Sequence, residues 1–154
     1  MRTARQTDTA RQTDTARQTD TAPPRRNQGL GRIIVMVYAV FALSALARSL
    51  FQILSHFDRA PVAYVLSAFA AVVYIVATLS LARTGRTAWL VSLAAVLIEL
   101  VGVVGVGLAT VLHPELFADD TVWSRFGAGY GYVPLVLPIV GLVWLLAHRE
   151  PKES

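Results

Sequence analysis

The run Ala88–Leu112, AWLVSLAAVLIELVGVVGVGLATVL, contains one charged residue, Glu99, and as a helix would be roughly 37 Å long. That is enough to cross the hydrocarbon of a bilayer, where a chain must satisfy its own backbone polar groups and so becomes helix. On helical spacing Ala88, Ser92, Ala95, Glu99, Gly102, Val106 and Ala109 form one stripe. Small side chains at that interval let a second helix approach closely, so the stripe predicts a packed face with Glu99 turned toward protein.

Three more apolar blocks accompany it, at about 33–54, 62–81 and 126–147, in a chain that is 55% hydrophobic with mean hydropathy +0.52. The expected fold is all-α, a polytopic membrane protein with a four-transmembrane-helix bundle over 30–148. The first block is interrupted by Arg48, on a stripe with Ser44, Ala45, Gln52 and Ser55. Its basic flank, apolar run and Ala45-Leu46-Ala47 also have the form of a secretory signal cleaved after Ala47; the long tail ahead and three later spans argue against cleavage. In the second block Tyr64, Ser67, Ala71, Tyr74 and Thr78 share a face. The fourth, FGAGYGYVPLVLPIVGLVWLLA, carries Gly127, Gly129, Gly131, Pro134 and Pro138. A helix starting at Pro134 would be only about 22 Å long, short of a core of roughly 30 Å. The glycine segment must therefore also enter the bilayer, as kinked helix or as a broken section sheltered by protein.

Residues 1–29 form a different region. Thr3-Ala4-Arg5-Gln6-Thr7-Asp8 repeats as Thr9–Asp14 and Thr15–Asp20, with almost nothing to bury, and Pro23-Pro24 close the tract. Such a composition cannot offset the entropy of ordering, which predicts a disordered tail. Residues 149–154 form a second short tail. Arg25, Arg26, Arg32, Arg83, Arg86, Arg149 and Lys152 fall on one side of the membrane, while Arg59 and Arg125 face Asp58, Glu115, Asp119 and Asp120 on the other. The richer side should be cytoplasmic, placing both termini inside, with Trp89 and Trp144 at the inner interface and Trp123 at the outer one. The net charge of +4 is then a matter of topology and not of nucleic-acid binding. With no cysteine, disulfides and thiolate chemistry are excluded.

Counting depth along the helices puts Arg48 about 22 Å and Glu99 about 17 Å from the cytoplasmic end of their blocks, with Ser67 and Tyr130 roughly 9–10 Å below the outer surface. Pro134 has no N–H for the Tyr130 carbonyl, and Pro138 none for that of Pro134; a guanidinium could serve such freed carbonyls. These positions predict a buried polar cluster in the outer half of the bundle, Arg48 paired with Glu99 and supported by Gln52, Ser67 and Tyr130 beside the broken fourth span. His56, His113, Glu115, Asp119 and Asp120 read as separate loop residues, so no metal and no cofactor is expected. Gly129-Tyr130-Gly131 lacks the flanks of a potassium filter, and no nucleophile motif or paired catalytic carboxylate is present, so no enzyme is expected.

Over Asp119-Asp120-Thr121-Val122-Trp123-Ser124, Phe126-Gly127, Gly129-Tyr130-Gly131, Pro134-Leu135 and Leu137-Pro138 the chain resembles a set of uncharacterised small four-helix integral membrane proteins of high-GC Gram-positive bacteria. The resemblance implies a plasma-membrane location and four spans, and no activity. Two functional expectations follow. The first is a non-catalytic accessory or scaffold subunit that packs in the lipid bilayer against a larger membrane protein or a second copy. The second is a small proton- or cation-coupled transporter using Glu99, since intramembrane ionisable groups beside discontinuous helices commonly couple ions.

Overall fold

A computed structural model describes residues 26–149, which are largely helical with no strand among them. Most of the expected disordered tail, and positions 150–154, lie outside the described residues. Four α-helices follow in order: α1 Arg26–His56, α2 Pro61–Leu81, α3 Arg86–Leu112 and α4 Val133–Ala147. The first three are long and apolar enough to cross a membrane. Ser124–Tyr130 and α4, bent by 100° across a short break, supply a fourth crossing if the pair counts as one. The described residues from Gly31 onward form one compact unit.

Boundaries follow local chemistry. Pro61 opens α2 at a position where its missing N–H costs nothing, and Pro114 stops α3 after Leu112. Helix α1 starts at Arg26, seven residues ahead of its apolar block, so 26–29 belong to a helix and not to the tail. The predicted packed faces hold on α2 and on the first half of α3; beyond Glu99 the buried line of α3 shifts to Val103, Gly107 and Thr110, and Ser44 and Ser55 of the α1 stripe are exposed. Tyr64, Ser67, Ala71 and Tyr74 of α2 are buried, as are Ser92, Ala95 and Glu99 of α3, with Gly102, Val106 and Ala109 half-buried beside them. On α1 the buried line is Ile34, Tyr38, Ala42, Ala45 and Ser49. Leu43, Phe51, Val72, Val101, Leu108 and Val143 point outward, as lipid-facing side chains do.

The segment between α3 and α4 departs most from a simple hairpin. A knot of short hydrogen bonds holds Thr121–Ser124: the Thr121 N–H donates to Ser124 Oγ at 2.8 Å, and the Trp123 N–H to Thr121 Oγ1 at 3.1 Å. Arg125, Phe126 and Gly127 then take left-handed backbone angles, with φ of 50°, 61° and 78°, and the Arg125 N–H is captured by Thr110 Oγ1 at 2.8 Å. Two non-glycine residues in that conformation are costly, and the turn survives because side chains anchor both of its flanks. Gly127 has a second reason to be glycine, since a Cβ there would lie 2.8 Å from the Pro134 ring.

This turn drives Trp123 into the protein. The expectation of an outer-interface tryptophan is wrong: Trp123 is only 2% exposed, and its indole N–H donates to the Tyr74 hydroxyl at 2.9 Å. Its ring packs edge-on against Phe69 and Tyr74. It lies over Gly102, ten residues or roughly 15 Å inside the end of α3, where a Cβ would sit 2.5 Å from the indole. Phe126 fits over Gly107 in the same way. The small-residue stripe of α3 thus receives not only a neighbouring helix but a re-entering loop.

Gly102 and Gly105 should therefore respond differently to the same change. Gly102→Ala is expected to lower the stability of the detergent-solubilised protein by about 1–3 kcal/mol through overpacking. Gly105→Ala, where nothing lies within 4 Å, should leave it unchanged or slightly raise it. Thermal melts of the two variants beside the wild type check this; equal melts would remove the tryptophan from the groove.

Candidate functional site

Glu99 stands at the midpoint of α3 and is fully buried. Its Oε2 accepts a 2.7 Å hydrogen bond from the Tyr38 hydroxyl, which crosses from α1. Tyr38 is itself 0% exposed, and its hydroxyl lies against Gly141 of α4. Its ring lies 6.3 Å from that of Tyr74, which in turn accepts the Trp123 bond. One buried cluster therefore ties all four helices and the re-entering loop together, with Glu99 as its only carboxyl. The second oxygen, Oε1, is buried without a hydrogen-bond partner, and no described residue forms an ion pair with Glu99.

The expected Arg48–Glu99 pair does not form. Arg48 Nη1 donates to the Tyr130 hydroxyl at 2.7 Å and Nη2 to the Asp120 carbonyl at 3.4 Å, with the guanidinium 5.8 Å from the Tyr130 ring centroid. The cause is register. Tyr38 lies five residues past Ile33, and Glu99 eleven past Ala88, yet the two meet. The first helix is therefore offset along the third by six residues, about 9 Å, from the alignment that equal block starts imply. The offset lifts Arg48 to the rim, ten residues or about 15 Å beyond Tyr38 on its own helix.

Of the remaining expected residues, Tyr130 does join Arg48. Ser67 is fully buried and Gln52 half-buried, but Ser67 Oγ and Gln52 Oε1 have no hydrogen-bond partner and support neither charged group. The guanidinium serves the Tyr130 hydroxyl, not the Tyr130 or Pro134 carbonyl. In the broken segment Gly127, Pro134 and Pro138 are buried, while Gly129 and Gly131 are exposed, Gly131 with φ 63°. The break is a 3-10 segment followed by a left-handed joint at Gly131 and Tyr132, buried at Gly127 and exposed at the joint itself.

A polar rim surrounds Arg48. Asp120 pairs with Arg125 at 2.8 Å, and Asp119 accepts from the Tyr64 hydroxyl and lies 3.5 Å from Arg59. Arg48, Asp120, Thr121, Ser124, Arg125 and Tyr130 line a cavity of about 290 Å³. A larger one, about 630 Å³, lies beside it between Thr110, Pro114, Phe117, Asp119 and Arg125.

Two important members were not anticipated. Tyr38 lies on the inward extension of the Arg48 stripe, through Ala45 and Ala42, and that spacing was the available signal. Trp123 carried a weaker one, its place between the short hydrogen-bonding side chains Thr121 and Ser124. Comparison with family models, with curated proteins and with solved structures finds no match to this chain.

Tyr38→Phe should destabilise the protein by about 1 kcal/mol, because it leaves both Glu99 oxygens without a donor in a water-poor interior. Glu99→Gln should cost less, since its amide oxygen still accepts from Tyr38. Chemical or thermal unfolding in one detergent compares them, and a Tyr38→Phe melt equal to that of wild type would show that the hydrogen bond carries no stability.

Proposed function

We propose that the chain is a four-span integral protein of the plasma membrane, a four-helix bundle with both termini cytoplasmic, that acts as a non-catalytic accessory or scaffold subunit. The observation that carries this reading is the filled interior. Tyr38, Tyr74 and Trp123 are each nearly or fully buried around Glu99, so the centre of the protein is packed for rigidity. Its functional surface is then the outside, where the helices present apolar side chains to lipid or to another membrane protein. The orientation is supported by the arginines: exposed Arg32, Arg83, Arg86 and Arg149 are at one end, against Arg59 and Arg125 at the other. The likeness to small four-helix membrane proteins of high-GC Gram-positive bacteria supports the same layout.

A second reading has one observation in its favour. A buried carboxyl with one free oxygen, in a bundle whose last helix is preceded by a break, has two of the features from which proton- or cation-coupled transporters are built. Glu99→Gln separates the two. For a scaffold, the variant reaches normal membrane abundance, retains a stoichiometric partner in a native-detergent pull-down, and neither it nor wild type carries protons or cations in proteoliposomes. For a transporter, wild type carries a flux that Glu99→Gln abolishes at unchanged abundance, and that result would displace the scaffold reading.

A further inference from the structure

Arg48 lies six residues inside the apolar end of its block at Leu54, yet forms no ion pair among the described residues. Its two hydrogen-bond partners are neutral, a phenol and a carbonyl. The carboxylate that shares its cavity, Asp120, is taken by Arg125. The cavity is therefore lined by two guanidinium groups and one carboxylate, an excess of one positive charge in about 290 Å³. A half-buried guanidinium at this rim, with no carboxylate of its own among the described residues, is open to an anion. Arg48 uses two of its five N–H donors on protein, and the Tyr130 hydroxyl, which accepts from Arg48, retains its own proton to donate.

We propose that this cavity binds a phosphate group, held by the Arg48 fork with Tyr130 as a second donor. Guanidinium offers paired, parallel N–H donors that match two phosphate oxygens, which a point charge would not. The volume is at the small end for a ligand pocket and suits a headgroup-sized anion, not a larger molecule. A long arginine side chain near a helix end reaches the headgroup layer, so the source of the phosphate is either an anionic phospholipid or a free phosphate. The lipid arm rests on the membrane-spanning reading.

Binding to the purified full-length protein in detergent tests the site, with short-chain phosphatidylglycerol below its micelle concentration and inorganic phosphate as separate probes. Wild type should bind at least one of them, and Arg48→Gln should weaken that binding at least tenfold. Tyr130→Phe, which keeps the ring packed on Phe41, should weaken it several-fold and serves if Arg48→Gln does not fold. Binding of the lipid probe names a headgroup as the source, and binding of inorganic phosphate alone names free phosphate. A wild type that binds neither probe, or binds no tighter than the folded variants, overturns the proposal. Extraction of the protein from membranes by alkaline carbonate would instead overturn the membrane reading, whatever the binding shows.

Discussion

The structure depends on Trp123 lying against a helix that has no side chain at that point. Where a chain leaves helical geometry away from water, its backbone polar groups need partners within the protein. This chain leaves it between Leu112 and Val133, and does so next to a packed interior. The indole over Gly102, held by Tyr74, draws the loop inward, while Thr110 and the Thr121–Ser124 hydrogen bonds absorb polar groups of the irregular backbone. Packing adds to this through van der Waals contact over the indole face, the interaction that holds membrane helices together where water supplies no driving force.

Around that anchor the polar groups sort into two levels. At mid-height Glu99, Tyr38, Tyr74 and Trp123 form a closed cluster with no cation. About 15 Å along α1, Arg48 meets Tyr130 and the backbone of the re-entering loop at a rim where arginine and aspartate alternate. A single Arg–Glu pair would have neutralised both residues and left neither available. Their separation leaves a carboxyl oxygen without a donor at one level and a guanidinium without a carboxylate at the other, and these two unmatched groups are where functional readings attach.

Much of the fold was legible in the residues, and for identifiable reasons. Length and hydropathy marked the apolar stretches, and the small or polar stripes on α2 and α3 named the faces that pack, because helical periodicity depends on spacing alone. The too-short helix after Pro134 called for a kink or a break ahead of it, and the chain bends by 100° there. The site was less legible. Depth counted from block edges assumed that the helices begin level, and a shift of six residues was enough to separate Arg48 from Glu99. Nor does one-dimensional spacing record that Gly102 and Gly107 are hollow for the aromatics of a distant loop, so Trp123 read as an interface residue.

The central claim is that Trp123 is sealed within the protein, and a single-tryptophan protein measures it most directly. With Trp89 and Trp144 replaced by phenylalanine, the emission of Trp123 in reconstituted membranes should be blue-shifted and resist both aqueous iodide and brominated lipids. Emission that is red-shifted and strongly quenched by iodide would place the ring at the water interface and contradict the structure described here.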